Sequence, residues 1–197
     1  MVKKKLTFRQ AQAIKTRKKI YDVSIELMDK NGFDATTIEE ISKKAGVSVG
    51  AFYHYFKSKN DIFFEIYKKH DEYFENEVVQ HLTQENSFDQ IITFFKYYAM
   101  YNKNDGLEFV RQLYNSQNKF FIDHGRYMYV LLEKIIANGQ EKNEIIKDLT
   151  AENISDYLFI MARGIVYDWC LHEASYDLVE MMEKQLGRLS VLFKTNL

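Results

Sequence analysis

Five histidines and one cysteine are the residues of this 197-residue chain best suited to metal ligation or nucleophilic chemistry, and their spacing supports neither. His54, His70, His81, His124 and His172 form no HExxH pair or other ligand spacing, and Cys170 has no evident activating partner. No glycine-rich phosphate loop is present. The run Lys68-Lys69-His70-Asp71-Glu72 is expected to be a solvated helix face. The expectation is a protein that is not an enzyme and takes no metal or cofactor.

The informative residues lie between Thr37 and Lys59. Thr37-Ile38-Glu39-Glu40 is a capping box, in which the Thr37 hydroxyl accepts from the Glu40 N–H and the Glu40 side chain reaches back. A short helix over Ile38–Ala45 turns Ile41 and Ala45 inward. Gly46 and Val47 break it, and Ser48 caps a second short helix to about Tyr55, with Phe52 and Phe56 on its apolar side. Two short helices joined by a tight turn containing glycine form a helix-turn-helix. Ile41, Ala45, Val47 and Phe52 then meet in a miniature core, and Gly46 supplies the backbone angles of the turn. The second helix is held out as a probe that fits a major groove about 12 Å wide.

The surrounding elements read as helices throughout. Met1–Gln10, with Lys3, Lys4, Lys5 and Arg9, is expected to be a loose basic arm, either following a minor groove or forming a solvated tail. A helix from Ala11 ends at Asn31-Gly32. Another begins near Ser58 and keeps helical spacing to about Leu82. Ser87 with Gln90 is a capping box opening a helix to about Asn102, and Asn104-Asp105-Gly106 is a turn. A short helix over Leu107–Tyr114 precedes a longer one marked by Phe121, Met128 and Ile136 and stopped at Asn138-Gly139. Thr150 caps a long helix to about His172, and Asp177 with Glu180 caps the last. No stretch shows strand alternation with hairpin turns. The expected fold is all-α: an N-terminal three-helix helix-turn-helix domain over residues 1–60, then a larger helical domain over 61–197.

Composition fits a folded, soluble protein, with 46 % hydrophobic and 28 % charged residues and no proline to interrupt long helices. The lone cysteine suits a reducing cytoplasm, and no apolar run approaches the roughly 20 residues that span a bilayer. The net charge of -1 hides an asymmetry: residues 1–60 carry 13 Lys/Arg against 6 Asp/Glu, leaving 14 against 22 in the remainder. A basic head on an acidic body suits a nucleic-acid binder, although acidic membranes and proteins attract such heads too.

Over this segment the chain resembles the TetR family of bacterial regulators. Thr36-Thr37-Ile38, Ile41, Ala45-Gly46-Val47-Ser48, Gly50, Phe52-Tyr53, Phe56 and Ser58-Lys59 follow that family's signature at fixed, ungapped spacing. Ile20, Leu27, Gly32 and Phe33 fall where its first helix and following turn would place them. Ser24, Phe52 and Tyr55 depart from the commoner residues at their positions. The resemblance implies DNA contact by Thr37, Ser48, Val49, Gly50, Ala51, Tyr53, His54 and Lys59. Thr37, Tyr53 and Lys59 look like phosphate contacts. Thr37 and Lys59 stand at helix N-termini, which favour an anion, and Tyr53 and Lys59 add donors. Base reading falls to Val49, Gly50, Ala51 and His54: Val49 and Ala51 can touch a thymine methyl, and His54 can donate to a purine acceptor. The competing readings make Tyr53, Tyr55 and Phe56 core aromatics and Thr37 a cap alone.

The helices opening at Ser87 and Thr150 are apolar almost all round, so each is buried on several sides. The resemblance implies a homodimer through the last two helices, matching the two-fold symmetry of a palindromic site. It also implies an effector cavity, with Tyr97, Tyr101, Phe121, Tyr127, Arg163 and Trp169 as candidates for its wall; ordinary core packing is the competing reading, and the favoured one for any single residue among them. The function expected is a cytoplasmic repressor, independent of membranes, that binds a double-stranded DNA operator and is released by a small apolar or aromatic effector. A helical protein-interaction module without DNA binding is the alternative.

Overall fold

A computed structural model describes residues 7–114 and 119–195, apart from the side chains of residues 63, 64, 119 and 120. Nine α-helices run through the described residues: α1 Phe8–Asn31, α2 Ile38–Ala45, α3 Val49–Tyr55, α4 Asn60–Asn76, α5 Ser87–Asp105, α6 Leu107–Leu113, α7 Tyr127–Glu141, α8 Ala151–Leu171 and α9 Leu178–Ser190. Extended pairing among them is limited to one isolated bridge between Ile145 and Lys194. The all-α expectation holds. The chain divides into two compact units, Met1–Ile66 and Tyr67–Leu197.

In the first unit, Ile20, Met28, Ile41, Ala45, Phe52, Phe56 and Ile62 form one buried cluster. Ser24 lies within the α1 face of this cluster and donates its hydroxyl to the Ile20 carbonyl at 2.7 Å, so it leaves no orphan polar group. α1 starts earlier than its apolar spacing suggests. Thr7 accepts from the Gln10 N–H at 3.2 Å, and Gln10 reaches back to the Thr7 N–H at 2.9 Å. The basic arm expected through Gln10 is therefore shortened: Arg9 is helical, while Lys3, Lys4 and Lys5 lie outside the described residues. Phe8 and Ile14 are exposed on these first turns, so no core-facing stripe marked them as helix.

In the second unit, α5 packs against α9 and α7, and α8 lies against α7 and α9. Their inner faces share one core that includes Phe94, Phe95, Leu132, Ile136, Leu158, Phe159, Val166, Leu178 and Met182. Four expectations are corrected here. α4 stops at Asn76 and a separate 3-10 turn covers Val78–His81, so no single helix reaches Leu82. The cap of α5 is Asn86, whose side chain accepts from the Asp89 N–H at 2.8 Å. Ser87 instead donates its N–H to the Glu144 carboxylate at 2.8 Å, and the helix runs on to Asp105. Phe121 belongs to a 3-10 turn, Lys119–Ile122, ahead of α7. Finally, Gly139 lies inside α7 rather than ending it: a Cβ there would sit 2.8 Å from the Ser87 Cβ and 2.7 Å from the Ile145 Cδ1. Its small size serves a close approach of neighbouring segments, not a helix stop.

Candidate nucleic-acid interface and effector residues

The helix-turn-helix is built from short-range contacts. Thr37 accepts from the Glu40 N–H at 3.1 Å, and the Glu40 carboxylate accepts from the Thr37 N–H at 2.9 Å. That bond to the Thr37 N–H holds the exposed Glu40 carboxyl below the usual range. Gly46 takes the left-handed conformation, φ 66 and ψ 38, and the Ser48 hydroxyl accepts from the Ala51 N–H at 3.1 Å. Phe52, Ile41 and Ala45 are buried together, which leaves the other side of α3 uncovered within its own unit.

The expected contact residues divide by their partners. Ser48, Val49, Gly50, Tyr53 and His54 are exposed, Ala51 is half-buried, and Thr37 is exposed at the head of α2. Tyr53 leans the edge of its ring on Phe52, at 5.7 Å between centroids, and its hydroxyl has no hydrogen-bond partner among the described residues. It is not a core aromatic, whereas Phe56 is fully buried beneath the Arg17 guanidinium. Lys59 differs from the rest. Its ammonium donates to the carbonyls of Phe33 and Thr36, both at 2.7 Å, and lies 4.5 Å from the centre of the Phe33 ring. Most of its donor capacity therefore goes to the α1–α2 turn. No local pattern announces this, because the partners lie 26 and 23 residues away.

Arg17 and Lys19, outside the expected contact set, both flank the motif. Arg17 forms a two-point ion pair with Glu65, at 2.6 and 2.7 Å, and the Lys19 Nζ would lie 3.5 Å from a Cβ at Gly46.

In the second unit four of the expected effector residues, Tyr97, Tyr101, Phe121 and Arg163, are linked by ring contacts through Tyr73, His70 and Tyr67. Tyr97 stacks on His81 with centroids 5.0 Å apart, and Tyr101 packs on His70 at 4.0 Å and on Tyr73 at 4.9 Å. Burial and the nearby Asp105 push the Tyr101 hydroxyl pKa up. His70 is buried and bonded to Asp105 at 2.9 Å, and Asp71 holds the buried Arg126 at 3.1 Å. These two residues overturn the expectation that the run around His70 is a solvated face. Phe121 and Arg163 come together: the Phe121 carbonyl accepts from Arg163 at 2.9 Å and from the Tyr129 hydroxyl at 2.5 Å. Tyr127 is half-buried at the start of α7, packed on the core. Trp169 is buried and donates its indole N–H to the Tyr176 carbonyl at 3.1 Å, bracing the α8–α9 turn.

Sequence reasoning missed the pair Tyr98 and Tyr114, whose hydroxyls meet at 2.7 Å, with Asn102 accepting from Tyr114 at 3.3 Å. Burial drives both phenols to higher pKa values. The one clue available was the i, i+4 spacing of Tyr98 and Asn102, which the structure uses for an Asn102 side-chain bond to the Tyr98 carbonyl. Among the described residues, no group of His, Cys, Asp and Glu could hold a metal ion, and no helix is long and apolar enough to cross a membrane.

Comparison with known proteins agrees with this geometry. Residues 20–66 match the family described as bacterial regulatory proteins, tetR family, and residues 67–191 match the YsiA-like protein C-terminal region. The fatty acid metabolism regulator protein of Bacillus subtilis is 25% identical over 179 residues, covering 86% of this chain and 91% of that protein. A probable acrEF/envCD operon repressor of Escherichia coli is 28% identical over 187 residues, covering 86% and 82%. Among solved structures, the transcriptional regulator FadR from Bacillus subtilis, in complex with stearoyl-CoA, aligns with a TM-score of 0.73 at 21% identity, over 86% of this chain and 95% of that one. With both units matched and a helix-turn-helix in the first, the chain belongs to the tetR family of bacterial regulatory proteins and is a DNA-binding transcriptional regulator.

Proposed function

We propose that Met1–Asn60 reads a palindromic operator through α3, that the remainder of the chain binds the effector, and that two copies act as a dimer. The observation that carries this reading is Gly50. A Cβ at that position would meet nothing nearer than the Ser48 Oγ at 3.9 Å, so nothing among the described residues requires glycine on this exposed turn. A backbone that must come close to an external surface does. Beside it, Val49 and Ala51 offer apolar contact to thymine methyl groups, and His54 offers a donor to purines. Ser48 and the Tyr53 hydroxyl, unpartnered among the described residues, reach phosphates, whereas the Thr37 hydroxyl and N–H both donate to Glu40 and reach a phosphate only by exchanging that partner. Lys59 braces the α1–α2 turn that carries Thr37.

Dimerisation is supported by α8. Tyr157, Ile160, Met161, Tyr167 and Leu171 are exposed at helical spacing, and a Cβ at Gly164 between them would meet nothing within 4 Å. An apolar stripe of this kind on a water-facing helix fits a second copy of the same surface. The exposed positions of α9 are charged, Glu180, Lys184 and Arg188, so the apolar share of the interface falls to α8 and to Val191 and Leu192. The effector is a molecule with an apolar or aromatic body. Its binding favours a dimer whose two α3 helices no longer match successive major grooves about 34 Å apart.

The test is a titration of the purified protein against duplexes from its own promoter region across a salt series. Affinity should fall steeply as salt rises, with a log–log slope of about -0.9 per phosphate neutralised. A protein-interaction module would bind no duplex at any ionic strength, and that result would refute the proposal.

A further inference from the structure

Three arginines of the chain hold carboxylates: Arg17 with Glu65, Arg111 with Glu108 and Glu173, and Arg126 with Asp71. Arg163 on α8 is half-buried, yet among the described residues it holds none. Its Nη1 donates to two neutral acceptors, the Phe121 carbonyl at 2.9 Å and the Tyr129 hydroxyl at 2.8 Å. Its Nε and Nη2 have no acceptor among the described residues. Asp156, the acid whose charge reaches Tyr129, stands within ion-pair distance of His124 at 3.5 Å but not of Arg163. The neighbouring guanidinium of Arg126 is already neutralised.

The two neutral acceptors orient the Arg163 guanidinium without cancelling its charge. Among the described residues no carboxylate takes up the charge of this half-buried guanidinium. The unfilled Nε/Nη2 edge presents two parallel donors whose spacing matches the oxygens of a carboxylate. The surroundings are aromatic: the Phe121 ring lies 6.0 Å from the guanidinium, Tyr114 packs on Phe121 at 4.7 Å, and Phe159 packs on Tyr129 at 4.1 Å.

We propose that Arg163 grips the head of the effector, and that the effector is an amphiphile: an apolar or aromatic body carrying a carboxylate. This rests on the reading of the second unit as effector-binding. It names an acid rather than a neutral molecule, and a free carboxylate rather than a coenzyme A thioester, whose negative charge sits on phosphates remote from the acyl end.

The experiment measures binding of decanoate, decanol and decanoyl-CoA to the full chain by thermal shift and calorimetry, alongside operator release. Decanoate should bind about 10- to 100-fold more tightly than decanol, the range expected for a charge-assisted two-point bond. Arg163→Met should abolish that preference while leaving decanol affinity in place. Arg163→Lys, which keeps the charge but loses the fork, should retain part of it and serves as the folding-neutral control. Equal binding of acid and alcohol, an unchanged preference in Arg163→Met, or binding of decanoyl-CoA alone would overturn the proposal. If decanol releases the operator as well as decanoate does, the effector reading stands and Arg163 as head group falls. If decanoate binds as expected and the operator stays bound, the release mechanism falls and the Arg163 site stands.

Discussion

Lys59 and Tyr53 show how one motif divides its labour. Both are donors at positions where the family resemblance implies phosphate contact, but their surroundings differ. The Tyr53 hydroxyl is exposed and unpartnered among the described residues, so it remains available to an external acceptor. The Lys59 ammonium is spent on two carbonyls at 2.7 Å and an aromatic face. Bonds from a charged donor contribute about 1.5–3 kcal/mol each when buried and less where, as here, they are partly wet. Lys59→Met should therefore lower stability by about 1–3 kcal/mol in denaturant unfolding. The salt slope of DNA binding should stay as in the parent protein. A slope reduced by about one unit would instead place the ammonium on a phosphate.

Among the helices, termini and close approaches matter more than periodicity. α5 begins where the Ser87 N–H finds the Glu144 carboxylate. The same region is held to α7 by the absence of a side chain at Gly139, where an added Cβ would approach Ser87 and Ile145 to under 3 Å. The Ile145 side chain can turn aside, but the Ser87 Cβ is fixed to the backbone of α5. Overpacking of this kind costs about 1–3 kcal/mol, against a gain of about 1 kcal/mol from replacing glycine with alanine inside a helix. Gly139→Ala is thus expected to destabilise by about 1 kcal/mol net, lowering Tm by roughly 2–4 °C. A rise in Tm would show that the helix propensity term wins and that the contact relaxes cheaply.

For the molecule as a whole, the proposed dimer would set two probe helices on one duplex at once. Linking two weak half-site contacts raises affinity by about 10²- to 10⁴-fold when geometry allows both to engage. Ile160→Glu places a charge in the middle of the exposed α8 stripe and disturbs no buried residue, since Ile160 is itself 60% exposed. The variant should sediment as a monomer at concentrations where the parent is a dimer. Its affinity for a full palindrome should drop by at least about 10²-fold, to the level of a single half-site. An unchanged sedimentation coefficient would move the interface elsewhere.

The helix-turn-helix could be read in advance because each of its determinants acts over a few residues: the Thr37–Glu40 box, the left-handed Gly46 and the Ser48 cap all close within one helical turn. The same locality made the Thr150 and Asp177 caps legible. What escaped was set by partners far along the chain. Asp105 lies 35 residues from His70, Asp71 lies 55 from Arg126, Glu144 lies 57 from Ser87, and Phe121 lies 42 from Arg163. A charged or small residue reads alike whether it faces water or a distant neighbour, so burial of His70, the close approach at Gly139 and the lack of a carboxylate at Arg163 among the described residues emerged only once the helices were packed.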